Sequence, residues 1–307
     1  MVKLTKLLKK AMVITMEDQI TYRNKTVQVG PHTLVVITAI VDTTVPRMRS
    51  KLRDWSVAHG GHTIWQCTSS MCSFLVASKV AAGRRVLELG AGMGVAGLIA
   101  HKTGASTVVM TDGDPSVLKY LNENITTNVG SAGEGKHDEA KAELKEGDVD
   151  RPAHARVLRW GDAEEVRDLM EVLETGHFDM VIGSDLIYPE KVRKAEWMPL
   201  MDVKIRDLMI TAAAALREGG SLLLAHEIRE EMAAVFGFFE KHATANGFGT
   251  PSAVRMETAP DRVVLSLVFN GKVPGTQAAE KSEHDDDVAR GWSELVTCLQ
   301  ATGFGGH

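Results

Sequence analysis

The spacing of apolar positions changes character near residue 84. Before it, TLVVITAIV (33–41) is apolar and β-branched and predicts a strand, in a small sheet or hairpin ahead of the main domain. In GGHTIWQCTSSMCSFLVASKV, residues Trp65, Met71, Phe74 and Leu75 recur at helical spacing, which predicts a helix entered through Thr68 or Ser69. From Arg84 onward, short apolar runs alternate with helical patterns. RRVLELG, STVVMTD, ARVLRW, FDMVIGSD, SLLLAHE and DRVVLSLVFNG predict strands. GVAGLIAHKTG predicts a helix ending at Gly104, and PSVLKYLNENITTN one with Pro115 at its first position, where a missing N–H leaves nothing unpaired. MDVKIRDLMITAAAALREGG predicts a long helix closed by Gly219 and Gly220, and a further helix runs from about Glu230 to Asn246. Strands alternating with helices imply a mostly parallel, doubly wound α/β sheet covered on both faces.

Two polar stretches interrupt this order. Val129 to Ala155 and Gly271 to Arg290 interleave acids and bases with few β-branched residues. Neither buries enough apolar surface to offset the entropy of ordering, so both are expected to be flexible. The expected organisation is an N-terminal extension with short strands over 1–60 and a main domain over 61–270 with a flexible insertion at 129–155. A polar tail over 271–307 follows, with a short helix, GWSELVTCLQ, in it.

A chain of 307 residues, 44% hydrophobic, can bury a full-sized core. The net charge of −5 and pI near 6.1 argue against coating nucleic acid by bulk charge. Three cysteines without C-x-x-C spacing argue against a disulfide framework or a zinc site, and no metal is expected. His59 and His62, beside two glycines, suggest a solvated turn. No apolar run spans a bilayer, and MVKLTKLLKKAM reads as an amphipathic surface helix rather than a targeting peptide. A cytoplasmic monomer is expected, with a mitochondrial or nuclear address left open.

The candidate chemistry begins at VLELGAGMGVAGL. Glycines between a strand and a helix let backbone N–H groups approach a ligand, and Asp112 lies twenty residues beyond Gly92, which also fits a nicotinamide-binding unit. Glu88, inside the strand, suits a ligand carrying an ammonium better than a pyrophosphate. Asp112 ends the second strand, where its two oxygens can accept from both ribose hydroxyls, and Trp160 ends the next, where an indole can cover an adenine. Strand ends in such a sheet converge on one crevice. An amino-acid head, a ribose and an adenine together describe S-adenosylmethionine.

LELGAGMGVAGL, TDGD, LRWGD and SDLIY, in this order, resemble the seven-strand class I methyltransferases. More narrowly they resemble methyltransferase family 16, the protein-lysine methyltransferases whose fourth strand ends in Asp-x-x-Tyr; its members modify elongation factors, chaperones, an AAA ATPase and calmodulin. The likeness covers roughly Gly61 to Gly271. It implies a seven-stranded Rossmann-like sheet, with Glu88, Gly90 and Gly92 at the methionine end, Asp112 at the ribose and Trp160 at the adenine, and Gly113 also in the cofactor set. It further implies that Trp65 closes over the cofactor, that Ser184 belongs to the cofactor set, and that Asp185 and Tyr188 face the methyl group. S-adenosylhomocysteine is the implied product and a protein lysine the implied acceptor.

Other readings remain at this point. A nucleic-acid base or small amine could accept the methyl group, although SDLIYP lacks the paired prolines typical of base-modifying enzymes. A dinucleotide oxidoreductase would need a Tyr-x-x-x-Lys pair that the sequence lacks. A non-catalytic module would have little reason to keep Glu88, Asp112 and Asp185 together.

Overall fold

Strands β1 (Ile20–Val29) and β2 (His32–Val41) pair antiparallel as a hairpin of their own, apart from the main sheet. The computed structural model describes residues 20–41, 60–129, 151–188, 194–227, 232–256 and 259–271. The expected N-terminal helix, His59 and the short helix of the tail lie outside them. After the hairpin come α1 (Gln66–Ser78), β3 (Arg85–Leu89), α2 (Val95–Lys102), β4 (Thr107–Asp112), α3 (Pro115–Val129) and β5 (Ala153–Val157). Then follow α4 (Ala163–Val172), β6 (Phe178–Ser184), α5 (Lys194–Ala215), β7 (Leu216–Glu227), α6 (Met232–Ala245), β8 (Ser252–Met256) and β9 (Ala259–Val268).

The seven-stranded sheet has the order β5-β4-β3-β6-β7-β9-β8. Pairs from β5 to β7 are parallel, while β9 runs antiparallel to both neighbours. The apolar runs in the strands follow from burial on both sides. Val86, Met110, Ile182 and Leu223 face a core shared with α1, α2, α3 and β2. Leu87, Val109, Val181 and Leu222 face a second core shared with α4, α5 and α6. Met71 and Leu75 of α1 are wholly buried, and each such side chain contributes roughly 1.5–3 kcal/mol.

The hairpin is stitched to α3 by two asparagines. Asn124 accepts from the Ile37 N–H at 2.6 Å and donates to the carbonyls of Ile37 and Met93 at 3.2 and 3.0 Å. Asn128 accepts from the Val35 N–H and donates to the Val35 carbonyl, at 2.9 and 2.8 Å. Tyr22 stacks on Tyr120, with ring centroids 4.0 Å apart.

Several expectations shift. Helix α1 begins at Gln66 with Trp65 as its N-cap, before Thr68. Strand β5 stops at Val157, so Trp160 sits in a turn rather than at a strand end; the Leu158 N–H still bonds the Asp112 carbonyl at 3.1 Å. The polar stretch read as flexible through Ala155 is already strand at Ala153, because Ala153 and Ala155 are small enough to be buried against β4. The long helix ends at Ala215, ahead of the Gly219–Gly220 pair. Leu216 is buried opposite Phe178 and Ser221 opposite Met180, so residues 217–220 bulge out of the ladder, with Gly219 at φ +74°. Helix α4 and strand β8 were not anticipated; Asp162 caps α4 by accepting from the Glu164 and Glu165 N–H groups. His62 is buried, not in a solvated turn.

Candidate functional site

Register brings the chemistry together. Leu89 of β3 pairs with Thr111 of β4 and Gly183 of β6, so Gly90, Asp112 and Ser184 arrive level at one edge of the sheet. There they line a cavity of about 400 Å³, within the range of small-ligand sites. All ten residues picked out from the sequence line it: Trp65, Glu88, Gly90, Gly92, Asp112, Gly113, Trp160, Ser184, Asp185 and Tyr188.

The glycine loop is compressed against its surroundings. A Cβ on Gly97 would stand 2.5 Å from Glu88 Oε2, and one on Gly92 would stand 2.8 Å from the Gly61 carbonyl oxygen, where φ is also +53°. Space at Gly97 lets its N–H donate to Glu88 Oε2 at 2.9 Å. Oε1 has no hydrogen bond among the described residues. Burial pushes the Glu88 carboxyl up to about 8, so without a cation beside it the group holds its proton at neutral pH. An ammonium is the partner that would ionise it.

Asp112 is oriented by two backbone donors, Gly92 N–H on Oδ2 and Asp114 N–H on Oδ1, each at 2.9 Å. Burial raises its pKa, with those two bonds opposing. Each oxygen keeps a lone pair for a hydroxyl. Behind this carboxylate stands His62, which the sequence did not single out for the site. Its Nδ1 meets the Tyr22 hydroxyl at 2.7 Å, and its Nε2 meets Ser116 Oγ at 3.0 Å and lies 3.8 Å from Asp114 Oδ2. The hairpin thus reaches the loop that aims Asp112. Trp160 sits half-buried against the core below α5, and the Gly161 N–H beside it bonds Thr211 Oγ1 at 2.9 Å.

At the end of β6 the backbone turns sharply. Asp185 has φ +53°, a left-handed conformation that aspartate tolerates better than most residues. Its N–H donates to the Ala225 carbonyl at 2.8 Å, and its side chain is buried beside His226 of β7. Ser184 Oγ is buried and makes no hydrogen bond among the described residues, on the wall of the cavity. Tyr188 lies parallel to Trp65, with centroids 6.5 Å apart, and Trp65 remains 40% exposed, a rim position rather than a core one. Lys204 of α5 also enters the cavity, its Nζ 5.1 Å from the Tyr188 ring centroid. Sequence reasoning missed Lys204, Asp207, Arg159 and His226. A lysine or aspartate on a helix carries no local signal of where the helix will lie.

These groups fit S-adenosylmethionine. Glu88 suits its ammonium, Asp112 its ribose hydroxyls, the indole of Trp160 its adenine, and Ser184 offers an unused hydroxyl.

Comparison with known proteins agrees with the geometry. The family described as lysine methyltransferase matches residues 49–236. Protein N-lysine methyltransferase METTL21A of Danio rerio is 26% identical over 166 residues, covering 54% of this chain and 65% of that protein. Calmodulin-lysine N-methyltransferase of Arabidopsis thaliana is 34% identical over 113 residues, covering 36% and 30%. Histidine protein methyltransferase 1 homolog of Bos taurus is 32% identical over 112 residues, covering 36% and 27%. The chain thus spans less than two thirds of the length of each of these relatives. The family match itself extends over more than half of the chain, from ahead of α1 into α6, and by it the chain belongs to the lysine methyltransferase family.

Proposed function

We propose that this protein binds S-adenosylmethionine in the cavity and transfers the methyl group to a lysine side chain of a protein substrate. The observation that carries this reading is that Asp185, Tyr188 and Trp65 line the same cavity as Glu88, Asp112 and Trp160. A protein N-lysine methyltransferase and a calmodulin-lysine N-methyltransferase among its relatives support it.

The sulfonium supplies an electrophilic methyl group, so the protein forms no covalent bond of its own. Its residues align donor and acceptor and manage one proton. A lysine ammonium, with a reference pKa near 10.4, must lose that proton before it can attack. Asp185 orients the incoming amine by accepting a hydrogen bond from it. A carboxylate also favours the charged ammonium, so orientation is its first role and proton acceptance its second. The Tyr188 and Trp65 rings wall the approach and attract cations on their faces. No described helix is long and apolar enough to cross a membrane. We take the protein to be a cytoplasmic monomer that does not act on nucleic acid, readings that cell fractionation, light scattering and a nuclease control would check.

The test is transfer of label from isotopic S-adenosylmethionine into an unmethylated cell lysate, comparing wild type with Asp185→Ala. A discrete protein band labelled only by wild type, with the added mass on lysine, is the expected result. Mass on histidine would place the chain with its histidine-modifying relatives. Label removed by nuclease, or found only among small molecules, would overturn the protein acceptor.

A further inference from the structure

The aromatic wall assigned to the incoming amine already holds an amine of the chain itself. Lys204 leaves the middle of α5, is half-buried, and lines the cavity with Asp185, Tyr188 and Glu88. Its Nζ lies 5.1 Å from the Tyr188 ring centroid, a cation–π distance, and Tyr188 is stacked in turn on Trp65. On an exposed helix a lysine normally extends into solvent. Here Val203 is 42% exposed while the next residue's ammonium turns inward.

We propose that Lys204 is a methylation site of the protein itself, modified within its own molecule. This rests on the methyl-donor reading above. A tethered amine has no translational freedom left to lose, so even imperfect alignment gives it an advantage over a dissolved acceptor. In the transfer, the neutral Lys204 Nζ uses its lone pair to form the N–CH3 bond. The methyl–sulfur bond of S-adenosylmethionine breaks with its electron pair left on sulfur, giving S-adenosylhomocysteine. The proton first lost from the ammonium passes to water at the open mouth. Contact with the ring favours the cation, so Lys204 must leave the Tyr188 face to react, which makes this transfer slower than one to a well-placed substrate. Once methylated, the side chain is larger and still cationic, and it binds the same aromatic wall more firmly, where it obstructs a second lysine.

The experiment uses the purified full chain with trideuteromethyl S-adenosylmethionine and no other acceptor. Peptide mass spectrometry should find the trideuteromethyl mass on the peptide containing Lys204, and Lys204→Arg should lose it. The labelled fraction at a fixed time should not change when the protein is diluted. A second readout needs no turnover: S-adenosylhomocysteine should suppress acylation of Lys204 by acetic anhydride relative to the chain's other lysines. Lys204 left unlabelled by a protein that binds S-adenosylhomocysteine, label confined to other lysines, or labelling that falls on dilution would each overturn the inference. Absence of S-adenosylhomocysteine binding, measured by calorimetry, would instead remove the donor reading and this inference with it.

Discussion

His226 Nδ1 stands 3.6 Å from Asp185 Oδ1, with both side chains almost wholly buried. The distance is too long for a hydrogen bond but short enough for a protonated imidazole to hold the carboxylate electrostatically. β7 also grips Asp185 from behind through the Ala225 carbonyl. Asp185→Ala is expected to lower kcat by about 10²-fold or more while S-adenosylhomocysteine affinity is kept. His226→Ala should lower kcat by roughly tenfold to 10²-fold through misplacement of Asp185, with partial rescue in His226→Asn. Steady-state kinetics beside calorimetry would separate these effects; wild-type kcat in Asp185→Ala would remove Asp185 from the reaction.

Glu88 gives binding a proton signature. With its pKa raised by burial from 4.5 to about 8, the ligand-free protein keeps this carboxyl protonated where an unfolded chain has lost the proton. Its contribution to stability is therefore complete below pH 4.5 and is lost as pH rises toward 8, at about 1.4 kcal/mol per pH unit. The melting temperature of Glu88→Gln relative to wild type should climb across that window. A ligand ammonium reverses the preference, so S-adenosylhomocysteine should release about one proton on binding at pH 7. Calorimetry in buffers of different ionisation enthalpy reads this number directly.

The His62 relay links the hairpin to the ribose carboxylate. Removing the imidazole leaves the Tyr22 hydroxyl and Ser116 Oγ without this partner and loosens the Asp112–Asp114 turn. His62→Ala is expected to weaken S-adenosylhomocysteine binding by about tenfold, the worth of roughly one such hydrogen bond. The KM for the protein substrate should stay near its wild-type value, and a larger change in that KM than in cofactor affinity would refute the assignment.

Asn124 tests how firmly the hairpin is held. It is wholly buried and satisfies both the Ile37 N–H and the Ile37 carbonyl. Asn124→Ala leaves these groups unpaired, with an expected loss of about 1–3 kcal/mol. Chemical denaturation should show that loss, and proteolysis should cut first near residues 20–41.

Much of this was legible in the sequence because the central strands are buried on both faces and read as unbroken apolar runs. The glycine loop, Glu88, Asp112 and the Asp185–Tyr188 turn each follow such a run, so the same pattern that located the strands located their ends. What stayed hidden depends on placement across the sheet. Lys204 and His226 belong to unremarkable local patterns, and only the neighbouring of α5 and β7 with the end of β6 gives them a role. The bulge at residues 217–220 was misread because TAAAA continues helical until Leu216 finds its place opposite Phe178. Helix α4 escaped notice although AEEVRDLMEV has an amphipathic spacing and Asp162 is an ordinary capping residue.

Strand β9 lies between β7 and β8, and its Val263 pairs with His226 and its Arg262 with Glu227. It is the last strand of the sheet to leave the ribosome. Until it arrives, β7 presents an open ladder of N–H and C=O groups, and β8, made earlier, has nothing to pair with. A nascent chain thus carries an unpaired apolar edge, a template for pairing with another chain. His226, which backs Asp185, acquires its final neighbour only at that moment. The catalytic end of the sheet is therefore closed by the last of its described strands, and a chain interrupted before β9 carries the cofactor loop without a completed acceptor side.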